Sequence, residues 1–147
     1  MSTKSRLLEL LEQEKGSYLS GEMLAEKLQV SRTAVWKAIQ SLRQEGYEIQ
    51  AVTNKGYALD KASDVLSAEA IRCGLEHPEV TVQVFRDIPS TSLAMKQMAL
   101  DGGLPHGSVV AANEQTRGKG RKGRKFYSPK DSGLYLSVLL YPKKTVK

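Results

Sequence analysis

A chain of 147 residues, 40% apolar and 26% charged, is long enough for one ordinary domain or two small ones with a real core. One cysteine, Cys73, excludes an intramolecular disulfide framework, and His77 and His106 lie too far apart to suggest structural zinc, so no metal is expected. No apolar run nears the roughly 18 residues of a membrane span, Glu9, Glu12 and Glu14 break up any signal-peptide core, and 22 Lys+Arg against 16 Asp+Glu leave a net charge of +6, which suits a cytoplasmic protein with an anionic partner such as nucleic acid or a nucleotide.

Leu7, Leu8 and Leu11 predict an amphipathic helix over 5–14, stopped by Gly16-Ser17. Ser20 is placed to cap a second helix with Met23, Leu24 and Leu28 facing inward. Ser31 is placed to cap a third, with Val35, Ile39 and Leu42 at i, i+4 and i+7. Gln29-Val30 between them is a very short turn, so the two helices cross as a helix-turn-helix. Gly46 ends the third helix. Alternation over 47–53, the turn residues Asn54-Lys55-Gly56 and the return Tyr57-Ala58-Leu59 predict a hairpin, which in this position is a wing. Residues 1–62 are expected to form a winged helix-turn-helix domain, with the polar stretch 60–64 as linker.

From residue 63 the pattern is α+β. Ser67 is placed to cap a short helix ending near Gly74. Val80, Val82 and Val84 alternate with Thr81, Gln83 and Phe85 as a half-buried strand. A loop over 87–91 leads into a helix over 92–100, stopped by Asp101-Gly102-Gly103. Strands are expected at 108–112 and 133–141, flanking a glycine-rich basic loop at 116–125. A run such as 134–140 belongs inside a sheet with neighbours on both sides. Residues 63–147 therefore read as an incomplete α+β domain.

Three motifs can carry chemistry. A recognition helix reaches base edges with its N-terminal residues. Arg32 suits guanine or phosphate, Ser31 and Thr33 suit phosphate oxygens, and Lys37 follows one turn on. Trp36 lies off the apolar stripe, and Lys55 at the wing tip can meet a phosphate. The bland alternative is a capped helix in a small protein-interaction module.

The second motif is Gly118-Lys119-Gly120-Arg121-Lys122-Gly123-Arg124-Lys125. Its glycines fit GxGxxG, but the dinucleotide fingerprint opens a helix, and Phe126-Tyr127-Ser128-Pro129 does not. Six positive charges between Arg117 and Lys125, with no acid among them, would repel one another until an anion neutralised them. That predicts a phosphate-binding loop that orders on binding. A solvated loop or a nonspecific nucleic-acid patch is the alternative. The third motif, Ser90-Thr91-Ser92 after Pro89, sets three hydroxyls beside the free N–H groups of a helix start.

In this order the motifs resemble the bifunctional biotin–protein ligases, the biotin repressor family. SRTAVWKAIQSLRQEGYEI with NKGYAL is similar to that family's winged helix, Pro89-Ser90-Thr91-Ser92 to its biotin-contacting Ser-Thr-Asn segment, and EQTRGKGRKGRKFYSP to its GRGRRGR loop. The resemblance implies a central domain like class II aminoacyl-tRNA synthetases. It implies condensation of biotin with ATP to biotinyl-5′-adenylate, with Mg²⁺ accompanying ATP. Biotin then passes to a lysine of a carboxylase's biotin carboxyl carrier domain. The adenylate acts as corepressor, and the adenylate-bound form dimerises on operator DNA.

By position, Ser90, Thr91, Ser92, Gln115, Gly120, Arg121 and Lys122 would bind biotin. Gly118, Lys119, Gly120, Arg121, Lys122, Gly123, Arg124 and Phe126 would close over the adenylate. Ser31, Arg32, Thr33, Trp36, Lys37 and Lys55 would meet DNA. Ser92 replaces the family's Asn, Lys119 and Lys122 replace arginines and lose bidentate geometry, and Phe126 replaces a frequent tryptophan but can still stack on adenine. The family's Lys-Trp-Pro-Asn-Asp motif, which meets the reacting carboxylate, does not occur, and the tail lysines Lys143, Lys144 and Lys147 lack its context. No catalytic residue is therefore identified, and the chain is expected to be a fragment unable to complete ligation alone. The competing readings are a stand-alone winged-helix regulator with a small effector or dimerisation domain, and a nonspecific nucleic-acid binder.

The charge is not spread evenly. Residues 1–64 hold nine Lys+Arg and nine Asp+Glu, whereas residues 65–147 hold 13 and seven. The basic excess marks the glycine-rich loop rather than the helix-turn-helix, and points to a nucleotide phosphate more than to a duplex.

Overall fold

The structure, a computed structural model, describes residues 1–77 and 79–142. Lys143, Lys144 and Lys147 lie outside the described residues. The chain divides into two compact units between Gly74 and Leu75.

The first unit contains α1 (Thr3–Gln13), α2 (Gly21–Leu28), α3 (Arg32–Gln44), β1 (Ile49–Val52), β2 (Gly56–Leu59) and α4 (Ala68–Cys73). Each helix starts at a serine whose hydroxyl accepts a backbone N–H three residues on. The pairs are Ser2 with Ser5, Ser20 with Met23, Ser31 with Ala34 and Ser67 with Ala70, at 3.0–3.1 Å. The cap at Ser2 explains why α1 begins at Thr3, two residues before the expected start at residue 5.

Gln29 takes the left-handed conformation (φ 57°) and turns α2 into α3. Leu7, Leu11, Leu24, Val35, Ile39, Leu42 and Leu59 meet in one fully buried core. Each such side chain contributes about 1.5–3 kcal/mol through burial, which is what holds α3 at a fixed angle.

The wing is the predicted hairpin, with Ile49 opposite Leu59 and Val52 opposite Gly56. β2 also pairs with the segment between α1 and α2. Leu19 N–H donates to the Tyr57 carbonyl at 2.8 Å, and Tyr57 N–H donates back to the Leu19 carbonyl at 2.9 Å. The unit extends past the hairpin to Gly74 because Arg72 of α4 pairs with Glu9 of α1 at 3.2 Å.

The second unit contains β3 (Val82–Phe85), α5 (Thr91–Leu100), β4 (Val109–Ala112), a short 3₁₀ turn (Arg121–Gly123) and β5 (Tyr135–Val138). β3 and β4 run parallel and are connected through α5, and β5 is antiparallel to β4. β4 is central, and Val110, Ala111 and Ala112 are buried.

The run 134–140, expected to need neighbours on both sides and so to mark an incomplete domain, forms a strand with one neighbour among the described residues. β5 pairs with β4 alone, and Leu134, Leu136, Val138 and Leu140 are exposed. The alternation of the strand sends Leu136 and Val138 to one face and Tyr135 and Ser137 to the other, and Ser137 meets α5. Among the described residues no helix is long and apolar enough to cross a membrane.

Candidate functional site

α3 turns Val35, Ala38, Ile39 and Leu42 into the core. Ser31, Arg32, Thr33, Trp36 and Lys37 are consequently exposed. Trp36 is 52% exposed, so it lies on the outward face and is not a packing residue. Ser31 already spends one lone pair on the cap, at 3.1 Å from Ala34 N, and keeps its proton for an external acceptor.

Lys55 sits in the wing turn with its ammonium 5.8 Å from the centre of the Tyr18 ring, within cation–π range. Tyr18 donates its hydroxyl to Gln50 Oε1 at 2.8 Å, and Gln50 Nε2 donates to Asp60 Oδ2 at 2.9 Å. Tyr18 thus braces the wing lysine. It carried no signal in the sequence because it lies between α1 and α2, outside every motif.

In the second unit, Ser90 is the N-cap of α5 but makes no side-chain cap bond. Gln115 takes over that task from a distance. Its Oε1 accepts the Thr91 backbone N–H at 2.9 Å and the Thr91 hydroxyl at 3.1 Å. Its Nε2 donates to Ser128 Oγ at 3.0 Å, and Ser128 donates to the Phe126 carbonyl at 3.2 Å. Ser137 Oγ donates to Thr91 Oγ1 at 3.0 Å and lies 3.2 Å from Ser92 Oγ.

Ser90, Thr91, Ser92 and Gln115 therefore come together with two residues not singled out from sequence, Ser128 and Ser137. A serine within the apolar run 134–140, on the face opposite Leu136 and Val138, was the available signal for Ser137.

The glycine-rich loop grows from this network. Thr116 N–H donates to the Ile88 carbonyl at 3.0 Å and Arg117 N–H to the Pro89 carbonyl at 2.9 Å, directly before Ser90. Phe126 N–H bonds the Gly118 carbonyl at 2.9 Å, and Gly120 N–H bonds the Arg124 carbonyl at 2.8 Å. Lys122 (φ 56°) and Gly123 (φ 73°) form the left-handed tip.

The loop is thus a hydrogen-bonded hairpin. Main-chain pairing and a glycine-compatible tip hold it while the charges point outward. Arg117, Lys119, Arg121, Lys122, Arg124 and Lys125 are all exposed. Among the described residues none of the six forms an ion pair.

Gly118, Lys119, Gly123 to Lys125 and Phe126 line an open cleft of about 890 Å³ together with Gln115 and Ser128. Phe126 is 55% exposed there, available for stacking. Gly120, Arg121 and Lys122 lie towards the tip, and among the described residues the Arg121 and Lys122 side chains make no hydrogen bond to Ser90, Thr91 or Ser92.

Two arrangements result: an outward helix face beside a braced wing, and a hydroxyl–amide network under a cationic hairpin. Residues 3–58 match the family described as HTH domain, and residues 84–147 match the Biotin/lipoate A/B protein ligase family. The chain joins a winged helix-turn-helix to part of a biotin/lipoate ligase-type α+β domain.

It is 39% identical over 138 residues, 92% of its length, to the bifunctional ligase/repressor BirA of Bacillus spizizenii, and equally to that of Bacillus subtilis. It is 38% identical over 125 residues, 84% of its length, to the bifunctional ligase/repressor BirA of Escherichia coli. Over most of its own length the chain is similar to these bifunctional ligase/repressors. It spans 42% of the length of the Bacillus relatives and 37% of the Escherichia coli relative.

Proposed function

We propose that the chain is part of a cytoplasmic biotin–protein ligase that also represses transcription of biotin-synthesis genes. In the first step the biotin carboxylate attacks the α-phosphorus of ATP, forming biotinyl-5′-AMP and releasing pyrophosphate, with Mg²⁺ accompanying the nucleotide. In the second, a lysine amine of a carboxylase's biotin carboxyl carrier domain attacks the acyl carbon and AMP leaves. The observation that carries this reading is the Thr91–Gln115–Ser128 network at the root of a cationic hairpin whose six basic side chains form no ion pair among the described residues.

Ser90, Thr91, Ser92 and Gln115 would hold the polar ureido ring, with Gly120, Arg121 and Lys122 closing over biotin. Gly118, Lys119, Gly123 and Arg124 would complete the phosphate loop, with Phe126 against adenine. Bringing a carboxylate to a triphosphate juxtaposes anions, and outward cations offset that charge. Closing the hairpin would shield the mixed anhydride from water.

Ser31, Arg32, Thr33, Trp36, Lys37 and Lys55 would contact operator DNA. The neutral balance of residues 1–64 favours binding by a dimer, with the adenylate as corepressor. None of the residues present is assigned as the catalytic group.

The direct test is incubation with biotin, ATP, Mg²⁺ and a carrier domain. We expect biotin binding, and transfer far below that of an intact ligase. Transfer at the intact rate would refute the incomplete-ligase reading. Failure of the chain to bind either biotin or its adenylate would refute the ligand assignment.

A double substitution, Arg121→Ala with Arg124→Ala, separates the loop's role from the winged helix. Adenylate affinity should fall at least about tenfold for the loss of charge-assisted contacts, while operator affinity stays within about twofold. If the loop instead bound duplex phosphates, the slope of log K against log salt for DNA would flatten by about two.

A further inference from the structure

The hydroxyl network has a direction, and that direction is forced. A backbone N–H can only donate, so the Gln115 side-chain atom facing Thr91 N, 2.9 Å away, is the oxygen. The other end agrees, because a carbonyl can only accept. Ser128 must donate to the Phe126 carbonyl at 3.2 Å, and its Oγ is then open to receive Gln115 Nε2 at 3.0 Å.

The Thr91 hydroxyl has one proton, and it goes to Gln115 Oε1. The bond between Ser137 and Thr91 is therefore donated by Ser137. With that proton spent, the 3.2 Å contact between Ser92 and Ser137 must be donated by Ser92. Ser92, exposed at the open end, is left with lone pairs and no proton to offer. Beside it the Ser90 hydroxyl makes no cap bond, although the residue is only 3% exposed.

We propose that Ser137 is a positioning residue that sets this one-way relay, so that Ser92 presents an acceptor and the site selects ligands that bring an N–H donor. The inference rests on the reading of this network as the biotin site, whose ureido ring carries two N–H groups. Ser137 does not touch the ligand. It determines which half of the Ser92 hydroxyl faces it.

Removing Ser137 would free Ser92 to turn and donate outward. Ser92 would then accept or donate with little preference, and Thr91 would lose its incoming proton.

The test compares biotin with its ureido N-methyl analogue, followed by amide NMR titration of the full chain. The ratio of the two affinities is measured in wild type, Ser137→Ala and Ser137→Thr. The bulk of the methyl group is common to all three proteins, so it cancels in the comparison. Wild type should prefer biotin. Ser137→Ala should lose about fivefold of that preference, the size of one neutral hydrogen bond. Ser137→Thr keeps a hydroxyl and should restore it.

A purely structural role would weaken both ligands equally and leave the ratio unchanged. That result, with biotin still bound, would overturn the relay and leave the biotin site standing. Absence of any biotin response in wild type would instead overturn the site assignment, and the relay's selectivity with it. The Thr91 amide and Gln115 side-chain amide resonances give a check that needs no ligand. Both should shift in Ser137→Ala, and unmoved resonances would overturn the relay directly.

Discussion

Gly118→Ala should cost about 30-fold in biotin affinity while leaving the first unit untouched. A Cβ at Gly118 would run into the Phe126 carbonyl oxygen and lie 2.6 Å from Ser128 Oγ and 3.3 Å from Gln115 Nε2. The nearest obstacle is backbone, which cannot swing aside as a long side chain can. The second strand of the hairpin would have to move away. That movement breaks the Gln115–Ser128 bond and the Phe126–Gly118 pairing.

Two neutral hydrogen bonds at about 1 kcal/mol each, with neighbouring groups partly exposed to water, account for roughly 30-fold. Isothermal titration with biotin measures the loss, and operator binding serves as the internal control. Wild-type affinity in Gly118→Ala would show that Gln115 is not held through Ser128.

Gly56→Ala should lower the stability of the first unit by about 3 kcal/mol, and abolish the wing's contribution to DNA binding. Gly56 has φ 106°, where a side chain is strained. Its added Cβ would also strike the Leu19 carbonyl oxygen and lie 2.7 Å from Leu19 C and Ser20 Cα. Those atoms belong to the segment between α1 and α2 that pairs with Tyr57, so relief of the clash separates β2 from that segment.

For a unit of this size the loss corresponds to a fall in Tm of roughly 12–24 °C, readable by circular dichroism. Lys55 and the Tyr18 brace shift with the turn, so operator affinity should fall as well. A melting point within about 2 °C of wild type would contradict the close approach of β2 to Leu19.

The two glycines differ in how far they could be read from sequence. Gly56 follows Asn54-Lys55 between two alternating segments, so a turn glycine was predictable. Its contact with Leu19, 37 positions earlier, was not. Gly118 was read as part of a phosphate loop, and its immediate reason is tighter. It lets the two strands of the hairpin approach closely enough for Gln115 to reach Ser128.

Local patterns carried the first unit almost entirely. Caps at Ser20, Ser31 and Ser67 depend on a few adjacent residues, and the stripe Val35, Ile39, Leu42 shows which face of α3 is buried. The outward position of Trp36 follows from the same stripe, although an isolated tryptophan normally suggests packing. The second unit was legible as an order of elements and less so as a sheet. Apolar content in 134–140 argued for a strand that needs two neighbours, and hence for an incomplete domain; pairing partners are a property of distant segments, and among the described residues β5 pairs with β4 alone.

The loop shows the same division. Its charge was plain from Arg117 to Lys125, and repulsion between those charges argued for disorder. Backbone pairing across Gly118, Gly120, Arg124 and Phe126 is what the folded chain adds, with the charged side chains exposed to water.

Residue type, spacing and charge were enough to give a winged helix-turn-helix, an α+β segment and a cationic glycine loop, since these arise from neighbours within a few positions. The meeting of Ser92, Ser137, Thr91, Gln115 and Ser128 could come only from the folded chain. A hydroxyl's role as donor or acceptor depends on which groups up to 46 residues away already hold its proton.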